Sequence, residues 1–205
     1  FVSLDLGEKT KAVYSEDIPL NITAATDTAL EYQLLISTNG KRWKALPEYA
    51  TYQPLMLDEN GHAQTSINLS SRRDYTYYIR VNVRAAGRQG ADVYSDVKID
   101  MYRVMPIESV VIEDITEQEN GQLMISAQTE QAAGYEAMGY VPLYQFYYRV
   151  AGTSRWRAIT RSTLNNTCVF TPTKEAYDFK VRAVNTGRKK TDVESIIYDY
   201  TIGAE

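Results

Sequence analysis

The side chains best suited to nucleophilic or acid–base chemistry are one histidine, His62, and one cysteine, Cys168, in a chain of 205 residues. His62 follows Asn60-Gly61 at a predicted hairpin tip, and no nucleophile-elbow motif accompanies it, so we favour a solvated turn over a catalytic base. Cys168 lies in a predicted strand, residues 167–171. A reactive thiol would need cationic neighbours or a helix N-terminus, so we favour a buried, inert cysteine. One histidine and one cysteine also leave structural zinc without a ligand set.

The 26 carboxylates make a glycosidase-type pair possible, but none stands in a setting that would raise its pKa. Asp58-Glu59-Asn60 and Glu117-Glu119-Asn120 offer oxygen atoms to calcium, yet neither has EF-hand spacing, and ordinary turn chemistry accounts for both. The glycine-bearing loops 87–90 and 187–190 precede no helix, so they lack the dipole that completes a phosphate site. We therefore expect no enzyme: no catalytic residue, no metal and no cofactor. A hydrolase with an unrecognised carboxylate pair is an alternative.

Aromatic and basic side chains on loops and outer strand faces are the candidates for binding. Tyr144, Phe146 and Tyr148 alternate with Tyr147, so one of these rows faces a core and the other faces outward. Flat exposed rings stack on sugars or grip peptides, whereas packing against a neighbouring strand or module is the alternative. A set of basic residues forms either a patch or a solvated face: Arg188, Lys189 and Lys190 with Arg155, Arg157 and Arg161. The predicted contact surface consists of Tyr135, Met138, Tyr140, Tyr147 and Arg188.

Composition and charge restrict the class of partner. The chain has 22 basic and 26 acidic residues, a net charge of −4, spread evenly enough over its halves to argue against a nucleic-acid partner. Apolar residues make up 44%, enough for two cores. No long apolar run or signal peptide is present, so we expect no membrane span in this segment. Because the chain begins at Phe1, we expect it to be a piece of a longer parent protein with further domains.

A repeated strand organises the chain. Residues 177–187 alternate an apolar row with a mostly polar one, the two-residue period of a strand with one face in a core and one in water. The same pattern occurs 100 residues earlier, from Tyr77 to Gly87, and other landmarks such as Trp43 and Trp156 recur in the same order. Duplication of one fold predicts this, so we divide the chain into residues 1–104 and residues 105–205.

Each half predicts seven or eight short strands separated by turn signals, which is typical of a β-sandwich. Asn39-Gly40 predicts a type I′ hairpin turn, in which both central residues need positive φ. The last strand of the second half places its apolar residues on the opposite parity from that of the first half, and this predicts a one-residue bulge. The predicted fold class is all-β, with two tandem immunoglobulin/fibronectin III-like β-sandwich domains.

Two family resemblances rest on these residues. The run from Tyr177 to Asn185, followed by Gly187, resembles the sixth strand of a fibronectin type III domain. The resemblance implies a tyrosine corner at Tyr177, and more loosely at Tyr77 or Tyr75, although the tryptophan of that family's second strand is missing. Residues 140–202 also resemble the triple-tyrosine (three-Y) sandwich modules of bacterial envelope proteins. The segments that carry this likeness are Leu143–Tyr148, Trp156, Cys168–Thr173, Tyr177, Ser195, Tyr198 and Tyr200–Ile202.

The three-Y resemblance implies a habitat, extracellular or in the bacterial cell envelope, and not a reaction. We expect a non-catalytic spacer, adhesion or ligand-binding segment of a larger surface protein, whose partner is a cell-wall glycan, another polysaccharide or a protein. An alternative is the sensory domain of a two-component signalling receptor. A downstream membrane span and kinase in the parent gene would establish it, whereas a wall hydrolase or an anchor would exclude it.

Overall fold

A computed structural model describes residues 1–90 and 92–203. The chain divides into two compact units, unit 1 from Phe1 to Arg103 and unit 2 from Val104 to Glu205. The described residues form strands, turns and one short 3-10 helix. In this part of the chain, no helix has the length and apolar character needed to cross a membrane.

Unit 1 contains nine described strands in two sheets. The strands are β1 (Val2–Asp5), β2 (Lys11–Val13), β3 (Asp17–Ala24), β4 (Leu30–Ser37), β5 (Lys44–Ala45), β6 (Gln53–Leu55), β7 (His62–Asn68), β8 (Tyr75–Ala85) and β9 (Val93–Tyr102). The 3-10 helix, Pro47–Tyr49, precedes β6. One sheet has the antiparallel order β1-β3-β7, and the other has the order β2-β9-β8-β4-β5, with β6 paired to β4. Strand β2 runs parallel to β9.

Unit 2 contains eight described strands in two sheets. They are β10 (Ile107–Glu117), β11 (Leu123–Gln131), β12 (Pro142–Val150), β13 (Arg157–Ala158), β14 (Thr167–Phe170), β15 (Ala176–Asn185), β16 (Val193–Glu194) and β17 (Tyr198–Thr201). One sheet has the order β10-β11-β14. The other has the order β13-β12-β15-β16, and β17 also pairs with β15. All of these pairings are antiparallel.

Each unit closes its two sheets around one apolar core, and the repeated strand lies at its centre. Phe179 and Val181 of β15 are fully buried, as are Ile79 and Val81 of β8. The core of each unit draws side chains from both sheets, which defines a sandwich. Burying one such side chain contributes roughly 1.5–3 kcal/mol. The predicted all-β fold class with two immunoglobulin/fibronectin III-like sandwiches is confirmed, since the first, second and fifth strands of unit 2 face its remaining strands.

The predicted bulge in the last strand of unit 2 is also confirmed. Arg182 pairs with Glu194 and Phe179 pairs with Tyr198, so three steps along β15 match four steps along the last strand. The extra residue separates β16 from β17 and inverts the faces between them. This is why the apolar parity of this strand differs from that of β9.

Two local predictions are wrong. Among the described residues, positive φ is confined to glycines, so Asn39-Gly40 is not a type I′ turn. Asn39 instead uses its side-chain oxygen to accept hydrogen bonds from the N–H groups of Lys41 (2.9 Å) and Arg42 (3.0 Å). The prediction that the outer row of β15 faces water is also wrong for Asp178 and Lys180, which are only 6% and 9% exposed, although the Arg182 side chain is 41% exposed. The two-residue period shows which residues share a face, not what covers that face.

Candidate functional site

The hydrogen bonds around His62 and the packing around Cys168 stabilise the fold. His62 is the exposed first residue of β7, and its Nδ1 lies 3.0 Å from Thr23 Oγ1. Asp58 accepts from the backbone N–H of His62 (2.8 Å), and this bond, with that of Asn60, lowers the pKa of Asp58. The carboxylate thus orders the turn and does not orient the imidazole. Cys168 lies in the core of unit 2, where burial raises its pKa to about 12, so the thiol stays protonated at neutral pH.

The two turns considered for calcium contain ordinary turn bonds. Asn120 Oδ1 accepts from Gln122 N–H (3.0 Å), much as Asp58 Oδ1 accepts within its own turn. Within residues 1–90 and 92–203, no group of three His, Cys, Asp or Glu side chains could hold a metal ion.

The outer face of β15 is covered by a ladder of cations, rings and carboxylates. Trp156 lies under two cations, with the Arg149 guanidinium carbon 4.7 Å and Lys180 Nζ 4.5 Å from its ring centroid. Asp178 Oδ2 accepts from Arg149 Nε at 2.6 Å. Lys180 Nζ also donates to Glu194 Oε1 at 2.6 Å. These contacts let nearly buried charges remain paired, and their role is to cover the sheet.

Unit 1 carries a related stack on the corresponding strand, β8. The Arg80 guanidinium carbon lies 4.0 Å from the ring centroid of Trp43 and 3.9 Å from that of Tyr94. Arg80 also binds Asp96 with two hydrogen bonds of 2.7 and 2.8 Å, and this pairing raises the pKa of Arg80. Trp43 and Trp156 therefore share a packing role.

The five predicted contact residues do not form one exposed surface. Tyr135 is only 6% exposed, so its ring packs in unit 2 and is not offered to a partner. Tyr140 is half-buried against the core, where burial raises its pKa. Tyr147 is half-buried on the outer face of β12, beside Lys180 and 5.0 Å from the Arg182 guanidinium carbon. Met138, at 51% exposure, projects into solvent.

Arg188 serves the fold of its own loop. Its guanidinium pairs with Asp192, whose side chain is 1% exposed, and donates to Val104 O at 2.8 Å. Asp192 Oδ2 accepts from the N–H groups of Ile107 (3.1 Å) and Asn185 (3.0 Å). The pair thus ties the start of unit 2 to the loop after β15. Arg188 was predicted as a contact residue because the sequence cannot show that a carboxylate and a carbonyl already engage it.

The predicted tyrosine corner is present in unit 2. Tyr177 Oη accepts hydrogen bonds from the N–H groups of Thr173 (2.6 Å) and Lys174 (2.7 Å). In unit 1 a different tyrosine makes the corresponding hydrogen bond: the hydroxyl of Tyr14, and not that of Tyr77, donates to Arg73 O at 2.7 Å. The ring of Tyr14 meets that of Tyr77 edge-on, with centroids 6.5 Å apart.

A cleft of about 420 Å³ opens beside this corner. Its floor is formed by the rings of Tyr148, Phe170 and Tyr177, whose centroids lie 4.6 to 6.1 Å apart. Its rim combines threonine hydroxyls with four cations, and its lining within residues 1–90 and 92–203 includes no carboxylate, histidine or cysteine. The rim residues are Arg149, Thr153, Arg155, Arg157, Thr171, Thr173 and Lys174.

Sequence reasoning grouped Arg155 and Arg157 with Arg188, and it missed Lys174 entirely. The structure engages Arg188 elsewhere and brings Arg155 and Arg157 to the cleft with Lys174. The sequence signal that could have identified Lys174 was the tyrosine corner. A corner tyrosine at Tyr177 fixes the backbone of Thr173 and Lys174, so a lysine there has a fixed position beside the end of β14.

Unit 1 has a cleft of about 500 Å³ with a different lining. Leu30, Leu55 and the 81%-exposed Met56 make it largely apolar. Two acidic residues line it, Asp27 and Glu31, and Glu31 pairs with Arg84 at 2.6 Å.

No family model matches this sequence, and no protein of curated function matches it. Among solved structures, one similar chain is the crystal structure of the chicken CNTN1 FN1-FN3 domains, with 16% sequence identity and a TM-score of 0.36. The match covers 97% of the present chain and 64% of that chain, so the present chain spans less than two thirds of its length. The assignment of the sandwich fold rests on the strand order and the two cores described above.

Proposed function

We propose that this chain is a non-catalytic spacer, adhesion or ligand-binding segment of a larger bacterial surface protein. Its location would be extracellular or in the cell envelope, as the likeness to three-Y modules implies. Its partner would be a glycan or a protein. β-Sandwiches of this kind serve widely as binding and spacer modules.

The cleft of unit 2 is the observation that carries the binding function. It combines cations, hydroxyl groups and an aromatic floor, and its described lining residues include no carboxylate, histidine or thiol for acid–base or nucleophilic chemistry. The pKa values of Asp58 and Glu194 are both lowered. A glycosidase acid requires the opposite shift. These features favour binding over hydrolysis.

The test is co-sedimentation of the purified chain with a bacterial cell-wall fraction, followed by chromatography of the soluble products. We expect the chain to sediment with the wall and to release no sugar or peptide fragments. Fragment release that is lost on substituting two neighbouring carboxylates would establish the hydrolase instead. For location, external protease should degrade the parent protein on intact cells; protection until lysis would contradict a surface position.

A further inference from the structure

The cleft of unit 2 lies between two loops that internal hydrogen bonds hold in place. On one side, Thr153 donates to Val150 O from both its N–H (3.0 Å) and its hydroxyl (2.7 Å), and Gly152 supplies the positive φ of this turn. On the other side, the corner bonds to Tyr177 hold Thr173 and Lys174. Because these bonds order the backbone of both loops without a ligand, little backbone conformational entropy is lost on binding.

The rim of the cleft carries uncompensated positive charge. Arg155, Arg157 and Lys174 are exposed. None of these three residues forms an ion pair with any residue in 1–90 or 92–203. The fourth cation, Arg149, is compensated by Asp178. A local cluster of three free cations in a chain of net charge −4 favours an anionic ligand.

The floor and the hydroxyl groups indicate a ligand larger than a simple anion. Tyr148 is half-buried, so part of its ring is accessible from the cleft, above the buried rings of Phe170 and Tyr177. The volume of about 420 Å³ falls in the range of small-molecule sites. Hydroxyl groups beside an aromatic face are suited to a molecule that has both a hydrogen-bonding edge and an apolar face.

We infer that this cleft binds an acidic glycan, a sugar chain that carries carboxylate groups. The guanidinium forks of Arg155 and Arg157 match a carboxylate in geometry and charge, and Lys174 contributes a third cation from the opposite loop. Threonine hydroxyls meet sugar hydroxyls, and Tyr148 meets a sugar ring. This ligand class rests on the binding function proposed above and gives that function a site.

The test measures binding of the whole chain to a tetramer of galacturonic acid by calorimetric titration at low salt. The matched neutral probe is the same tetramer with its carboxyl groups reduced to alcohols, and a tetraglutamate peptide represents an acidic protein segment. We expect the acidic tetramer to bind at least about tenfold more tightly than either, because charge-assisted hydrogen bonds and ring contacts act together only there.

Substitutions then locate the site. The double substitution R155Q/R157Q should weaken binding of the acidic tetramer by about tenfold or more, and Lys174→Gln should weaken it by a few-fold. The control R72Q/R73Q removes two exposed arginines of unit 1 that are not among the residues lining the cleft, and it should change affinity less than about twofold. The pair R155K/R157K keeps charge but loses the forks, so it should bind with intermediate affinity.

Several outcomes would overturn the assignment. Unchanged binding in R155Q/R157Q and Lys174→Gln, or an equal loss in R72Q/R73Q, would remove the cleft as the site. Equal affinity for tetraglutamate would indicate an acidic peptide instead of a glycan. If the chain sediments with cell walls but ignores the acidic tetramer, the ligand class is wrong and the binding function stands. If it binds neither, both are wrong. A thermal midpoint within about 2 °C of wild type establishes that each variant is folded.

Discussion

Two serines at equivalent places in the two units bond to different partners. Ser95 lies opposite Val81 on β8, and Ser195 lies opposite Val181 on β15. Ser95 Oγ accepts from the N–H of Leu4, in the facing sheet, at 3.0 Å. Ser195 Oγ accepts from the N–H of Val181, in its own sheet, at 3.0 Å. The hydroxyl of Ser95 therefore joins the two sheets of unit 1. The hydroxyl of Ser195 takes the place of a backbone carbonyl as hydrogen-bond acceptor at the bulge of unit 2.

The path of the first strand accounts for this difference. In unit 1 the chain leaves β1 at Asp5 and joins the other sheet as β2, which covers the outer edge of β9. In unit 2, β10 stays with β11 from Ile107 to Glu117. Among the described residues, no strand pairs with the outer edge of β17. A bulge that twists an edge is an alternative to covering it, so the two copies protect their last strands in different ways.

The largest expected difference between the units comes from their tryptophans. Trp156→Ala should destabilise unit 2 by roughly 2–3 kcal/mol, because Arg149 and the nearly buried Lys180 both lose this ring, and the ring of Tyr147 lies farther from Lys180 Nζ, at 5.8 Å. Trp43→Ala should cost unit 1 only about 1–2 kcal/mol, since Tyr94 still covers Arg80. Hydrogen exchange of the β15 and β8 amides measures each unit separately. Equal losses would mean that the two stacks are equivalent.

The second largest difference in stability loss between the units should come from their tyrosine corners. Tyr177→Phe leaves two backbone N–H groups without their acceptor, and we expect a loss of about 2 kcal/mol in unit 2. Tyr77→Phe should cost unit 1 less than about 1 kcal/mol, because Tyr14 makes the bond to Arg73 there. Denaturant unfolding of both variants, with Tyr14→Phe as the third member, measures these changes. A larger loss of stability for Tyr77→Phe than for Tyr14→Phe would contradict the assignment of the corner hydrogen bond of unit 1 to Tyr14.

Patterns that a core enforces were readable from the sequence. The apolar rows of β8 and β15 follow from a two-residue period, and the bulge follows from parity, because a slip would otherwise turn core residues outward. Strand β2 was not predicted, since three residues carry little signal and their parallel partner, β9, is about 90 residues away. Parallel pairing over that separation depends on the closed sandwich, not on local sequence.

In the candidate site, the sequence could not show which residues are covered by side chains that are distant along the chain. Lys180 is covered by Trp156 from the loop before β13, and Arg188 is engaged by Asp192 and Val104. Tyr135 packs inward although its loop has no strong periodicity. Each of these depends on which residue arrives opposite, and a single sequence does not specify that.

The serine pair itself gives the next test. Ser195→Ala removes the acceptor of the buried Val181 N–H and should destabilise unit 2 by about 1–2 kcal/mol, with faster exchange at that amide. Ser95→Ala removes a half-buried bond to Leu4 and should cost unit 1 less than about 1 kcal/mol. If both losses are equal, the hydroxyl at the bulge has no special role. If Ser195→Ala is neutral, water or the backbone of Ile196 replaces the acceptor.

The smallest expected effect concerns the charges on the outer face of β15. Burial opposes ionisation of Glu194, but hydrogen bonds from Lys180 and Arg182 outweigh it and lower the pKa of Glu194. A folded-state pKa below the unfolded value, about 4.3 for glutamate, gives stability that is present above pH 5 and disappears as pH falls through the folded-state pKa. Glu194→Gln should therefore cost less than about 1 kcal/mol at pH 7, since the pair is partly exposed.

The pH dependence distinguishes this charge effect from a change in shape. The difference between wild type and Glu194→Gln should shrink as pH falls below about 4, and it should also shrink in 1 M salt, where surface charges are screened. Glu175→Gln, at an exposed residue next to the corner loop, is the control and should show little change at any pH. A Glu194→Gln penalty that persists undiminished at pH 3 would mean that the carboxylate acts through packing. The rings of Trp156 and Tyr147 would then hold Lys180 and Arg182 on the outer face of β15 without the charge of Glu194.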